Sequence, residues 1–249
     1  MVEKLRLVLQ SPRLRLVLKS AIFGGFLFLV KLGGFGFFSI LFFLGVAAFL
    51  YFRAEAHFLK SQNLYSFAVL LIIALGGLYT VHRPEFWIAE VFFFSFIFYL
   101  LLGIKELVFV HRYQSYSIKN ILLFYAVFAL FFLSDKSSLF FLKYILVFAA
   151  TLSLYREWFF WSEHYFPRRH LLTTLLLSLV TMEILWATAL LPIGFISAAN
   201  LVILMVYILT DFVFGHFQGI INKRMILKNS IIFIVTLLLI LGTSTWSAG

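Results

Sequence analysis

Long apolar runs, each closed by a carboxylate at a nearly fixed interval, dominate this sequence. Glu3, Glu55, Glu106, Glu157 and Asp211 stand 52, 51, 51 and 54 residues apart. A helix that crosses the hydrocarbon core of a bilayer needs about 20 apolar residues. Two such helices and their connections fill one interval. The spacing therefore predicts consecutive helical hairpins of about 52 residues, each starting from the same face of a membrane.

Composition agrees. Of 249 residues 63% are hydrophobic and 12% charged, with a mean hydropathy of +1.06. Soluble domains run about 45–50% apolar and about 25% charged, so a water-facing fold has no place for this much apolar surface. An outer-membrane barrel does not fit, because its strands alternate apolar and polar residues. Here the runs are continuous, as in Leu70-Leu71-Ile72-Ile73-Ala74-Leu75. The chain has no cysteine, which removes disulfides, thiolate catalysis and Cys-ligated metals.

The sequence predicts an all-α, polytopic transmembrane bundle, a single integral membrane domain over 1–249. Nine spans are expected, at about 17–32, 34–52, 64–81, 86–104, 118–134, 139–156, 171–191, 195–214 and 229–246, after a basic amphipathic segment over 1–16. Cytoplasmic connections hold the Lys and Arg excess. With nine spans, 16 basic residues fall on one face and four on the other, Lys31, Arg83, Lys136 and Lys143. That places the N-terminus inside and the C-terminus outside. If 17–32 only lies on the surface, eight spans remain and the split falls to 11 against 9; the sharper asymmetry favours nine. The net charge of +10 thus reflects topology rather than nucleic-acid binding. No small-x-small cleavage site follows the first apolar stretch, which is expected to act as a signal anchor. No eukaryotic sorting or lipidation motif is present, and a prokaryotic inner membrane is the expected location.

Two of the carboxylates share more than spacing. Glu106-Leu107-Val108-Phe109-Val110-His111 resembles Asp211-Phe212-Val213-Phe214-Gly215-His216, and Lys119-Asn120 downstream of the first matches Lys228-Asn229 downstream of the second. Duplication would explain this. So would hairpin geometry alone, since any helical hairpin of this size repeats near fifty residues.

Candidate functional residues fall into two groups. Glu183 lies near the middle of the seventh span, where a charge costs about 2.5–3.5 kcal/mol on the insertion scale. It is expected to face the bundle interior, as a proton or cation site or as a protonated hydrogen-bonding group. Asn200, two turns into the eighth span, is placed to bond it or to line a cavity. Glu90 and Lys143, each about one turn from the outer surface, are expected to pair across helices. Asp211 has no basic residue near it in sequence. The inner rim gathers Glu157, His164 and His216, which with Arg168 and Arg169 would suit a lipid-linked substrate. Arg168 and Arg169 also suit an anionic headgroup; their simpler role is a topology anchor. Glu157 and His164, seven apart, share a helical face, but Glu106/His111 and Asp211/His216 are five apart and do not. No His-box is present, and neither a metal nor a cofactor is expected. The run Trp158-Phe159-Phe160-Trp161 predicts an interfacial belt.

The partners expected are the bilayer, anionic lipids at the basic inner face, and other membrane proteins. Three functions suit these residues: a small permease or proton-coupled carrier using an intramembrane carboxylate, a noncatalytic subunit or scaffold of a membrane complex, and a membrane-embedded lipid-modifying enzyme.

Overall fold

The computed structural model describes residues 11–53, 63–81, 83–109, 112–134, 140–161, 167–219 and 221–243. Among these, nine helices and no strand are found: α1 (Pro12–Leu32), α2 (Phe37–Phe52), α3 (Leu64–Thr80), α4 (Pro84–Lys105), α5 (Arg112–Leu133), α6 (Phe140–Trp161), α7 (Pro167–Ala189), α8 (Phe195–Phe217) and α9 (Lys223–Thr243). Each predicted span overlaps one of them, and where it overruns the helix it does so by no more than three residues. Four helical segments are long and apolar enough to cross a membrane: Glu85–Lys105, Gln114–Leu133, Leu171–Ala189 and Phe195–Phe217. α2 and α3 are shorter and also apolar. Glu3, Glu55 and His164 lie outside the described residues.

Local chemistry sets the ends. Ser11 caps α1, its hydroxyl accepting from the Leu14 N–H at 3.4 Å, and Pro12 follows at the first helical position. α1 therefore carries Arg13, Arg15 and Lys19 as helical residues. Its other end closes in a Schellman turn: Gly34 (φ 65°) donates to the Lys31 carbonyl and Phe35 to that of Val30. α4 ends in the same turn, with Val108 donating to the Gly103 carbonyl. There the left-handed position belongs to a leucine, Leu107 at φ 59°.

The described chain forms two compact units, 1–123 and 124–249, with α5 running through the boundary. In the first, α1 packs on α4, α2 and α3, and α3 on α4. Its core is aromatic. Phe43 leans on Phe23, Phe23 stacks on Phe98 at 4.2 Å, and Tyr51 stacks on Phe67 at 4.2 Å. Phe67 and Phe98 join the two stacks. Flat rings fill space between the helices here, and offset or tilted pairs add attraction.

In the second unit α7 packs on α6 and α8, and α8 on α9. α7 is inverted relative to a water-facing helix. Thr174, Ser178, Thr181 and Thr188 recur at helical spacing on its buried face. Leu171, Leu172, Leu175, Leu176 and Leu179 are exposed. A helix in water hides its leucines and shows its hydroxyls; α7 buries four hydroxyls and only two of its leucines, Leu177 and Leu185. Trp158 and Phe159 also depart from the expected interfacial belt. Both are buried, packed on Phe214 of α8 at 5.8 and 5.1 Å, and Phe160 stays exposed.

Candidate functional site

The C-terminal ends of α1 and α3 meet the start of α4 at one end of the first unit. Lys31, in the last turn of α1, reaches across to α3 and donates to the carbonyls of Leu78 and Val81 at 2.5 and 2.6 Å. Those acceptors are the orphan carbonyls of a helix C-terminus, where a cation is favoured. Glu90 sits two turns into α4 and feels the Lys31 charge. A Cβ at Gly77 would lie 3.2 Å from the Glu90 Oε1 and 3.5 Å from Phe94. Glycine at 77 thus lets the carboxylate lie close against α3. The other oxygen, Oε2, is buried and has no hydrogen-bond partner among the described residues. This is a carboxylate held inside a helix seam, with one cation acting on it and one oxygen open. The cation expected for Glu90 was Lys143; the one that acts on it within its own unit is Lys31. Lys143 lies over the Phe131 ring at 3.9 Å in the second unit.

The opposite end of the first unit is also polar. Glu106 at the end of α4 pairs with Lys19 of α1. Its sequence neighbour Lys105 turns instead to the Tyr51 carbonyl and lies over the Tyr51 ring at 3.8 Å. Lys119, fully buried, donates to Ser66 at 2.8 Å and lies over the Tyr116 ring at 4.1 Å. Asn120 is fully buried with neither amide atom paired among the described residues.

In the second unit the hydroxyls of α7 serve their own helix. Ser178 donates to the Thr174 carbonyl and Thr181 to that of Leu177, at 2.8 and 2.7 Å. Thr210 of α8 donates to Val206 at 2.6 Å. Tyr155 of α6 is buried with its hydroxyl 2.9 Å from that of Thr181, and it hydrogen-bonds Thr210 as well. With the Thr181 proton on the Leu177 carbonyl, the phenol is the donor to the Thr181 oxygen, and its single proton serves Thr210 only by being shared or by the Thr210 proton turning from Val206 to the phenol oxygen. The result is a closed polar seam with no spare donor.

The remaining candidates sort plainly. Glu183 is exposed on α7, on the leucine face, and not turned into the bundle interior as expected. The physical reason is that the interior face of α7 is taken by the hydroxyls. Asn200 is half-buried on α8, and no hydrogen bond joins it to Glu183 among the described residues. Asp211 does have partners, supplied across the hairpin: its Oδ2 accepts from Asn229 at 2.9 Å and Lys228 at 3.3 Å. The repeated Lys-Asn pairs are therefore not used alike, since Glu106 turns to Lys19 and Asp211 to Lys228-Asn229. Glu157 is buried at 2% exposure, and the adjacent Arg156 is exposed. His216 is exposed at the end of α8, and Arg168 and Arg169 lie in the first turn of α7. Among the described residues no three His, Asp or Glu side chains gather to hold a metal. Sequence reasoning missed Lys31 as an acting group; it counted only as one of the four basic residues of the outer face.

No family model, curated protein or solved structure matches the chain.

Proposed function

We propose that the chain is a multi-pass membrane protein of nine spans, N-terminus inside, that works as a small proton-coupled carrier with Glu90 as its coupling carboxylate. The membrane reading is supported by the four long apolar helices and by the inverted faces of α7. Lipid is the solvent in which a helix gains by showing leucine and hiding hydroxyls. The observation that carries the carrier reading is the Glu90 carboxylate itself, seated against Gly77 with Oε2 buried and unpartnered. Intramembrane carboxylates of this kind mark proton and cation pathways. Protonation would remove the charge that Lys31 acts on and give the unpartnered carboxyl a proton to donate to a new partner, which is the exchange a coupled carrier requires. Gly76-Gly77, in the last turns of α3, supplies the soft backbone beside it.

The experiment is reconstitution of the purified protein in vesicles with an imposed pH gradient. The vesicles are challenged with a mixture of small metabolites and read by mass spectrometry. The wild-type protein is expected to accumulate at least one solute in proportion to the gradient. Glu90→Gln should keep equilibrative exchange and lose the gradient dependence. An unchanged gradient dependence in Glu90→Gln, or no accumulation by the wild type, rejects the reading.

A second reading, a subunit of a membrane complex, is favoured by one specific observation: the exposure of Glu183.

A further inference from the structure

Glu183 stands where no carboxylate should be left alone. It lies about 5 Å from the midpoint of the apolar stretch Leu171–Ala189, at 1.5 Å per residue. Around it on the same face are Leu176, Leu179, Trp186 and Leu190, with Leu176 57% and Leu190 68% exposed. No described side chain meets the carboxylate. At that depth the group needs a partner, and no described residue of its own unit supplies one.

We propose that the outer face of α7 is the docking surface for a transmembrane helix of another protein, one carrying a lysine or arginine at the depth of Glu183. Charge complementarity selects this occupant. A second copy of the chain would present another carboxylate. Among its described residues it has no exposed mid-depth cation to offer either: Arg13, Arg15, Arg53, Arg83, Arg156, Lys223, Arg224 and Lys228 all lie within about two turns of a helix end. A foreign helix with a mid-depth cation satisfies Glu183, and its apolar flanks cover the leucines. In a bilayer such a polar pair adds interhelical attraction that leucine packing alone does not. The inference rests on the membrane reading and is independent of the carrier role of Glu90.

The test uses synthetic transmembrane helices of about 20 residues, built of leucine and alanine, with a central lysine, glutamate or leucine. Each carries a donor dye. The full chain, which has no native cysteine, carries an acceptor at Gln218→Cys and is reconstituted in lipid vesicles. The central-lysine peptide is expected to associate roughly tenfold more strongly than the leucine peptide. Glu183→Leu should abolish that preference, and Glu183→Lys should transfer it to the glutamate peptide. Either variant showing the wild-type preference overturns the proposal, as does equal binding of all three peptides to the wild type. Glu183-dependent self-association that the lysine peptide does not compete with would assign the face to a second copy, and overturns it too. Failure of the chain to enter vesicles would instead reject the membrane reading beneath it.

Discussion

Replacing Phe92 with lysine separates lipid from water as the solvent of this fold. Phe92 lies in the middle third of α4 and is 72% exposed, so the substitution removes little packing. In water the change would fall within about 0.5 kcal/mol, as surface substitutions do. In a bilayer the arithmetic differs. On the insertion scale phenylalanine contributes about −0.3 to −0.6 kcal/mol and lysine about +2.5 to +3.5 near the centre of a span. The swing is about 3–4 kcal/mol, two to three orders of magnitude in the inserted fraction. The assay is glycosylation mapping of the α4 segment in a host with a known span removed, which reports insertion directly. Phe92→Leu is the matched control and should change nothing. The wild-type segment should insert, and Phe92→Lys should shift the balance strongly toward the uninserted form. If Phe92→Lys inserted as well as the wild type, or if it raised the yield of the full chain in aqueous buffer, α4 would not be immersed.

Two further outcomes follow from local contacts. Asp211→Ala leaves the fully buried Asn229 with neither amide atom paired, and is expected to cost about 1–3 kcal/mol. Lys228→Met removes only a half-exposed ion pair and should cost under about 1 kcal/mol. Reversible unfolding in bicelles ranks the two, and equal losses would mean that the ion pair, not the amide, anchors this hairpin. Leu107→Gly places the residue that the left-handed turn prefers after α4. It should raise stability by about 0.5–1 kcal/mol, visible as a higher midpoint in the same assay; a fall would show that the Leu107 side chain packs usefully.

The positions of the helices were legible because the signal for them is length without interruption. Runs such as Leu70 to Leu75 need no partner to be recognised. The ends were less so. α6 continues past 156 to Trp161, because Arg156 points out while Glu157 and Trp158 point in, and a charged pair in sequence looks like a boundary. The functional residues were read least well, for a geometrical reason. Which face of a membrane helix turns inward depends on what the other faces offer. For α7 the decisive signal lay in Thr174, Ser178, Thr181 and Thr188, spaced four, three and seven apart, and the single carboxylate drew attention from it. Asp211 looked isolated because its partners arrive 17 and 18 residues later, after a turn. Neither ladder spacing nor charge pattern reports a contact made by chain reversal.

The phenol of Tyr155 has a mechanical meaning. Helices α6, α7 and α8 converge on that one oxygen through Thr181 and Thr210. A slide of any of the three by one turn displaces its atoms by about 5.4 Å, well beyond hydrogen-bond reach. Small rotations about the oxygen keep both contacts. The second unit thus possesses a pivot: its helices can tilt against one another like spokes at a hub, but cannot shift lengthwise without breaking it.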